Sequence, residues 1–162
     1  MQSEALRTIT ARYNLREDRI GVDCLVHNGD VLQLMFTHRM ARAFIAELVQ
    51  RVNIKQGGTL MNDFAQSNAV SSKPKSNAVT VTESHAPWLV THVHIQNLVE
   101  DTRLVFTEDD ERAVHIDCSE NAMRNLLDIF HKAFAAAEWD RQIFPPWVSG
   151  VELKDTPAAT IN

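Results

Sequence analysis

The chain has 162 residues, 44% of them hydrophobic and 23% charged, with a formal net charge of −5 at pH 7. This composition is globular rather than disordered, and the length suffices for one domain with its own core, without metal or disulfide staples. The acidic balance argues against nucleic acid or an anionic membrane as a partner, because both select a basic footprint.

No window approaches the ~18 uncharged apolar residues of a membrane span. The start, Met1-Gln2-Ser3-Glu4, has neither the basic nor the apolar region of a signal peptide. Cys24 and Cys118 lie far apart and outside any CxxC pair, as expected of two buried thiols in a reducing compartment. A cytoplasmic location is the corresponding expectation.

In chain order, the first predicted strand covers roughly 7–13 and runs into an acidic turn, Asn14-Leu15-Arg16-Glu17-Asp18-Arg19. A hairpin of 20–26 with 31–36 follows, turning at Asn28-Gly29, a strong local hairpin signal. Thr37 is a good N-cap, since its hydroxyl accepts an otherwise orphaned backbone N–H. The helix it opens carries Ala41, Phe44, Ile45, Leu48 and Val52 on one face and is expected to end before Gly57-Gly58. Residues 54–87 are rich in Gly, Ser, Asn, Lys and Pro and nearly repeat Ser67-Asn68-Ala69-Val70 as Ser76-Asn77-Ala78-Val79. They are expected to form a flexible polar linker.

Trp88 opens a second unit with a strand over 88–96, and Asn97-Leu98-Val99-Glu100-Asp101-Thr102-Arg103 repeats the acidic turn. Its hairpin, 103–108 with 112–118, turns at Asp109-Asp110-Glu111, with Glu108 and Arg112 able to pair across the neck. Ser119 caps a long helix expected to stop before Pro145-Pro146. Setting Thr37 on Ser119 places the five apolar positions of the first helix on Met123, Leu126, Leu127, Phe130 and Phe134, and Arg42 on Arg124.

The expected architecture is therefore α+β: an internally duplicated β-β-β-α unit forming one largely antiparallel sheet with two helices packed on one face. One domain would comprise repeat 6–53, linker 54–87, repeat 88–140 and a C-terminal extension 141–162, with 155–162 fraying. Open sheet edges need protection, which a homodimer or other homo-oligomer would supply.

Three groups of residues carry candidate chemistry. His92 and His94 alternate along one strand and His115 lies two strands on, three imidazoles of the kind that ligate zinc. Matching the apolar faces pairs Ile95 with Leu104 and Phe106 with Val114, which sets Val105 between His94 and His115. The two imidazoles are then ~9–10 Å apart at the backbone, far for a shared metal. The same register puts Gln96, Arg103 and Asp117 in one row. His38, Arg39 and Arg42 crowd a helix start, where free N–H groups attract a phosphate or carboxylate. Phe144, Pro145, Pro146 and Trp147 read either as a polyproline segment for a partner's groove or as a cap on the chain's own core.

No nucleophile-and-base pair and no phosphate-cradling glycine loop stands out, and no cofactor is implied. The expectation is a non-enzymatic interaction or assembly module with an unknown protein partner. The alternative is a metal or anion binder, possibly an enzyme, built on the histidines.

Overall fold

Regular alternation and two capped helical stripes generate ten elements in the computed structural model, which describes residues 2–56, 59–75, 77–81 and 86–149. They are β1 (Glu4–Asn14), β2 (Arg19–Val26), β3 (Val31–Phe36), α1 (His38–Gln56), α2 (Thr59–Ser71), β4 (Trp88–Leu89), β5 (His92–Asn97), β6 (Thr102–Glu108), β7 (Arg112–Cys118) and α3 (Glu120–Ala136). The expected frayed tail, 155–162, lies outside the described residues.

The strands form one mixed sheet in the order β4-β3-β2-β1-β7-β6-β5. β1-β2-β3 and β5-β6-β7 are antiparallel meanders, joined by a short parallel ladder of Glu4 with Val114 and Ala5 with His115. At the far end β4 runs parallel to β3, Trp88 beside Leu34 and Leu89 beside Met35. Only Val90 and Thr91 separate β4 from β5. The Val90 N–H donates to the Met35 carbonyl at 2.9 Å, and the Thr91 N–H donates to that of Thr107 at 2.9 Å. One extended stretch thus touches both ends of the row and ties the sheet back on itself. The expectation of a homodimer rested on open edges, and this tie removes part of that basis.

The hairpin turns use the residues their geometry requires. Gly29 has φ +96°, and Asn28 Oδ1 accepts from the Asp30 N–H at 2.8 Å. Thr37 and Ser119 cap their helices, their hydroxyls accepting from the N–H groups of Met40 and Ala122, each at 3.2 Å. The inward residues of β2, β3, β6 and β7 share one core with the buried faces of α1 and α3. At its centre Phe36, Phe44, Phe106 and Phe130 meet at ring-centroid distances of 5.3 to 5.9 Å.

Two expectations need correction. The stretch 54–87 is not all linker, because α2 occupies Thr59–Ser71 and packs on α3 through Asn62, Gln66 and Ala69. The second helix also stops at Ala136, well short of Pro145. Glu138 takes the left-handed conformation, φ +56°, and the Trp139 N–H reaches back to the Phe134 carbonyl at 3.0 Å while that of Glu138 reaches Ala135 at 3.1 Å. This is a Schellman stop, completed by Trp139 against Phe134 at 5.2 Å.

Candidate functional site

The cross-strand register follows the apolar pattern, and it disperses the histidines. Ile95 pairs with Leu104, Phe106 with Val114, and Val105 stands between His94 and His115. His92 and His94 lie side by side on the exposed face of β5, rings nearly parallel at 12° and 6.2 Å between centroids. They border a polar surface groove of about 390 Å³ with Gln96, Arg103, Asp109 and Asp110. His115 is engaged elsewhere, its Nδ1 sharing a hydrogen bond with Ser3 Oγ at 2.7 Å. Among the described residues no three His, Cys, Asp or Glu side chains gather closely enough to hold a metal. The three histidines offered as alternative zinc ligands, His92, His94 and His115, thus form no such group among the described residues.

The expected row of Gln96, Arg103 and Asp117 is present, and Arg103 grips Asp117 with two hydrogen bonds of 2.6 and 2.8 Å. This guanidinium holds the Asp117 carboxyl below its ordinary range. Burial and the same cation lower the pKa of His115 from 6.5. The groups around that imidazole are Ser3, Arg103, Asp117 and His27. A histidine whose folded pKa is depressed contributes stability that is complete above pH 6.5 and is lost as pH falls through the lower folded value. Melting-temperature profiles between pH 8 and pH 5 should therefore drop less steeply for His115→Gln than for the parent chain. Equal slopes would show that His115 titrates as it does in the unfolded chain.

The anion cluster also divides. His38 turns from the helix start to stack on Trp139, ring centroids 4.4 Å apart, with Phe134 at 6.0 Å, while Arg39 and Arg42 remain exposed. Trp139 is fixed in turn by Asp18, whose Oδ1 accepts from the indole N–H at 3.2 Å and from the Tyr13 hydroxyl at 2.8 Å. The aromatics of the Phe144-Pro145-Pro146-Trp147 segment are likewise withdrawn. Phe144 packs edge-on against His131 and Phe134, and Trp147 lies under the Arg124 guanidinium at 5.3 Å. Only Pro146 of the four is exposed, so the segment caps its own core. Cys24 and Cys118 are free and buried. Burial pushes both thiols up, Cys118 to about 12, which leaves them unreactive near neutral pH.

The feature that sequence reading missed is a groove of about 240 Å³ between β5 and α1. β5 pairs with β6 along one edge, and its other edge has no ladder among the described residues. The first turns of α1 face it with Met40, Ala43, Phe44 and Glu47, and Val93 and Ile95 supply apolar side chains from the strand. At the end of β5, Arg51 of α1 donates to Asn97 Oδ1. Met40 and Ala43 flank the buried stripe of α1 and widen it toward the strand, and this widening is the only trace of the groove in the sequence.

A second apolar surface lies on α2. Leu60 is 81% exposed and Phe64 71%, with Met61 beside them, while the polar Asn62 and Gln66 face the protein.

Searches of protein-family models, of curated proteins and of solved structures return no match to the chain. Among the described residues no helix is long and apolar enough to cross a membrane.

Proposed function

We propose that the chain is a non-enzymatic polypeptide-binding module that takes an extended segment of a partner protein along the outer edge of β5. The observation that carries this reading is the β5 edge that has no ladder among the described residues and is faced by a largely apolar helical wall. A bare strand edge offers a row of backbone donors and acceptors, so an incoming strand gains main-chain hydrogen bonds while alternate side chains enter the apolar side. The groove favours a substrate of that shape because Met40, Ala43, Phe44, Val93 and Ile95 give it apolar walls, while Glu47, Thr91, His92 and His94 add polar groups along the same strand and helix.

The same reading holds that the chain is internally duplicated. The support is the order of elements, three strands and a helix in the first unit and β4 running through Val90 and Thr91 into β5, then β6, β7 and a helix, in the second, with each unit closed by a hydroxyl-capped helix. In each unit the first strand also begins beside the third strand of the other unit before joining its own meander.

The test is a selection of displayed random twelve-residue peptides on the whole protein, followed by calorimetry of the selected sequences. Ala43 is exposed on the groove wall, so Ala43→Arg should leave folding intact and fill the groove. Selected peptides should weaken at least about tenfold, or 1.4 kcal/mol, against that variant. Peptides that bind both proteins equally would place the docking surface elsewhere and overturn the proposal.

A further inference from the structure

Beyond Ala5, β1 parts from β7, and among the described residues no ladder covers its second edge. A cavity of about 570 Å³ opens there, lined by β1 over 9–13, by α3 between 129 and 136 and by the segment 73–75 that follows α2. That segment is anchored to the strand a few residues on. The Val79 N–H donates to Thr10 Oγ1 at 3.1 Å, and the Val79 carbonyl accepts from Arg12 Nη2 at 3.3 Å. The space left between segment, strand and helix falls in the range of about 300–1,000 Å³ usual for small-ligand sites.

The lining is of two kinds. Ile9, Ala11, Ile129 and Ala133 give the cavity an apolar surface. Arg12, Lys73, Lys75 and Lys132 add four cations, and no acid lines it, although the chain as a whole has a net charge of −5. The two other grooves differ in this respect, since Asp109 and Asp110 line one and Glu47 the other.

The acids nearby are engaged. Asp128 holds Lys132 at 3.0 Å. Asp18 and Glu138 stand at the Tyr13 end, where Asp18 accepts from the Tyr13 hydroxyl and the Trp139 indole. Arg12, Lys73 and Lys75 form no ion pair among the described residues. Lys73 is exposed as a residue, but its ammonium is drawn in enough for lost hydration to lower its pKa from 10.5, with Asp128 opposing the shift and Lys132 adding to it. Two ammonium groups thus share one carboxylate, which leaves positive charge uncompensated beside an apolar wall.

We propose that the β1–α3 cavity binds a small amphipathic organic anion, its acidic group at Lys73 and Lys132 and its apolar body along Ile9, Ala11, Ile129 and Ala133. The site is separate from the β5–α1 groove and stands or falls without it. The cations orient the ligand through charge-assisted hydrogen bonds, and burial of the apolar body supplies the affinity.

The test is calorimetry with amide-shift mapping on the whole protein, using octanoate, octanol and inorganic phosphate as probes. Octanoate should bind with shifts concentrated on residues 9–13 and 129–136. Octanol, which has the body without the charge, and phosphate, which has the charge without the body, should each bind at least about tenfold more weakly. Lys73 and Lys75 are exposed, so Lys73→Glu with Lys75→Glu should leave folding intact. The double substitution should weaken octanoate at least about tenfold and leave octanol unchanged. Absence of octanoate binding overturns the proposal, as does octanol or phosphate binding as tightly as octanoate. Shifts confined to residues 40–47 and 91–95 also overturn it, because the probe would then sit in the β5–α1 groove. So does an octanoate affinity that the double substitution leaves unchanged.

Discussion

Replacing Arg124 with Ala should lower the melting temperature by roughly 10 °C, the largest loss expected from any single charged side chain in the molecule. Arg124 is fully buried at the meeting of three segments. Its Nη2 donates to Asn62 Oδ1 on α2 at 2.8 Å and to Glu120 Oε1 at 3.0 Å, and its guanidinium plane covers Trp147. A cation this deep contributes little net energy while its partners are in place, since their attraction only offsets its lost hydration. Removing it leaves Asn62 without this donor and opens a void over Trp147. Deleting one member of such a buried set costs about 3–5 kcal/mol, which in a domain of this size is worth roughly 2–4 °C per kcal/mol. Calorimetry gives the total, and amide exchange over Thr59–Ser71 tells whether α2 comes loose first. Arg124→Lys should recover only part of the loss, because one ammonium cannot present the planar fork that reaches Asn62 and Glu120 together. Arg42→Ala, at the position matched with Arg124 in the sequence, should move stability by no more than about 0.5 kcal/mol because Arg42 is exposed.

That contrast shows where sequence reading succeeds and where it stops. The hairpin turns, the helix caps and the pairing of Ile95 with Leu104 and Phe106 with Val114 were legible. Each follows from residues that act locally or from an alternation that must place one face inward. α2 was hidden because it is turned inside out. Its buried positions are Asn62, Gln66 and Ala69, and its apolar Leu60 and Phe64 point to solvent, so the periodicity carries no sign of a docked helix. What holds it is a bond from Gln66 Nε2 to the Arg124 carbonyl at 2.9 Å and the reach of Arg124 to Asn62, contacts 58 and 62 residues apart. The stacking of His38 on Trp139 is equally remote, which is why His38 reads as part of an anion cluster in the sequence and as a packed ring in the fold. The β5–α1 groove was missed for a different reason. A strand edge is made of backbone, which is the same for every residue, so its exposure depends on topology and leaves almost no trace in side-chain type.

Phe130→Ala should cost about 3–5 kcal/mol, the range for deleting a fully buried aromatic ring. The ring meets Phe36 edge-on at 5.5 Å and Phe44 at 5.3 Å, and both of those touch Phe106 at 5.7 and 5.6 Å. Phe36 belongs to the first meander, Phe106 to the second, Phe44 to α1 and Phe130 to α3, so the cluster of four rings joins all four parts. The hole it leaves is bordered by the Phe36 and Phe44 rings, and an apolar cavity of that kind stays dry and admits small apolar molecules. Benzene-saturated buffer should therefore raise the melting temperature of the Phe130→Ala chain by several degrees and leave the parent chain unchanged. The shape of the transition is the sharper observation. If the two meanders share this cluster as their common core, the variant melts in one step at a lower temperature, because neither half retains a core of its own. Two resolved steps would mean that each strand-and-helix unit holds together without the other. The four rings would then only seal a joint between two independently folding units.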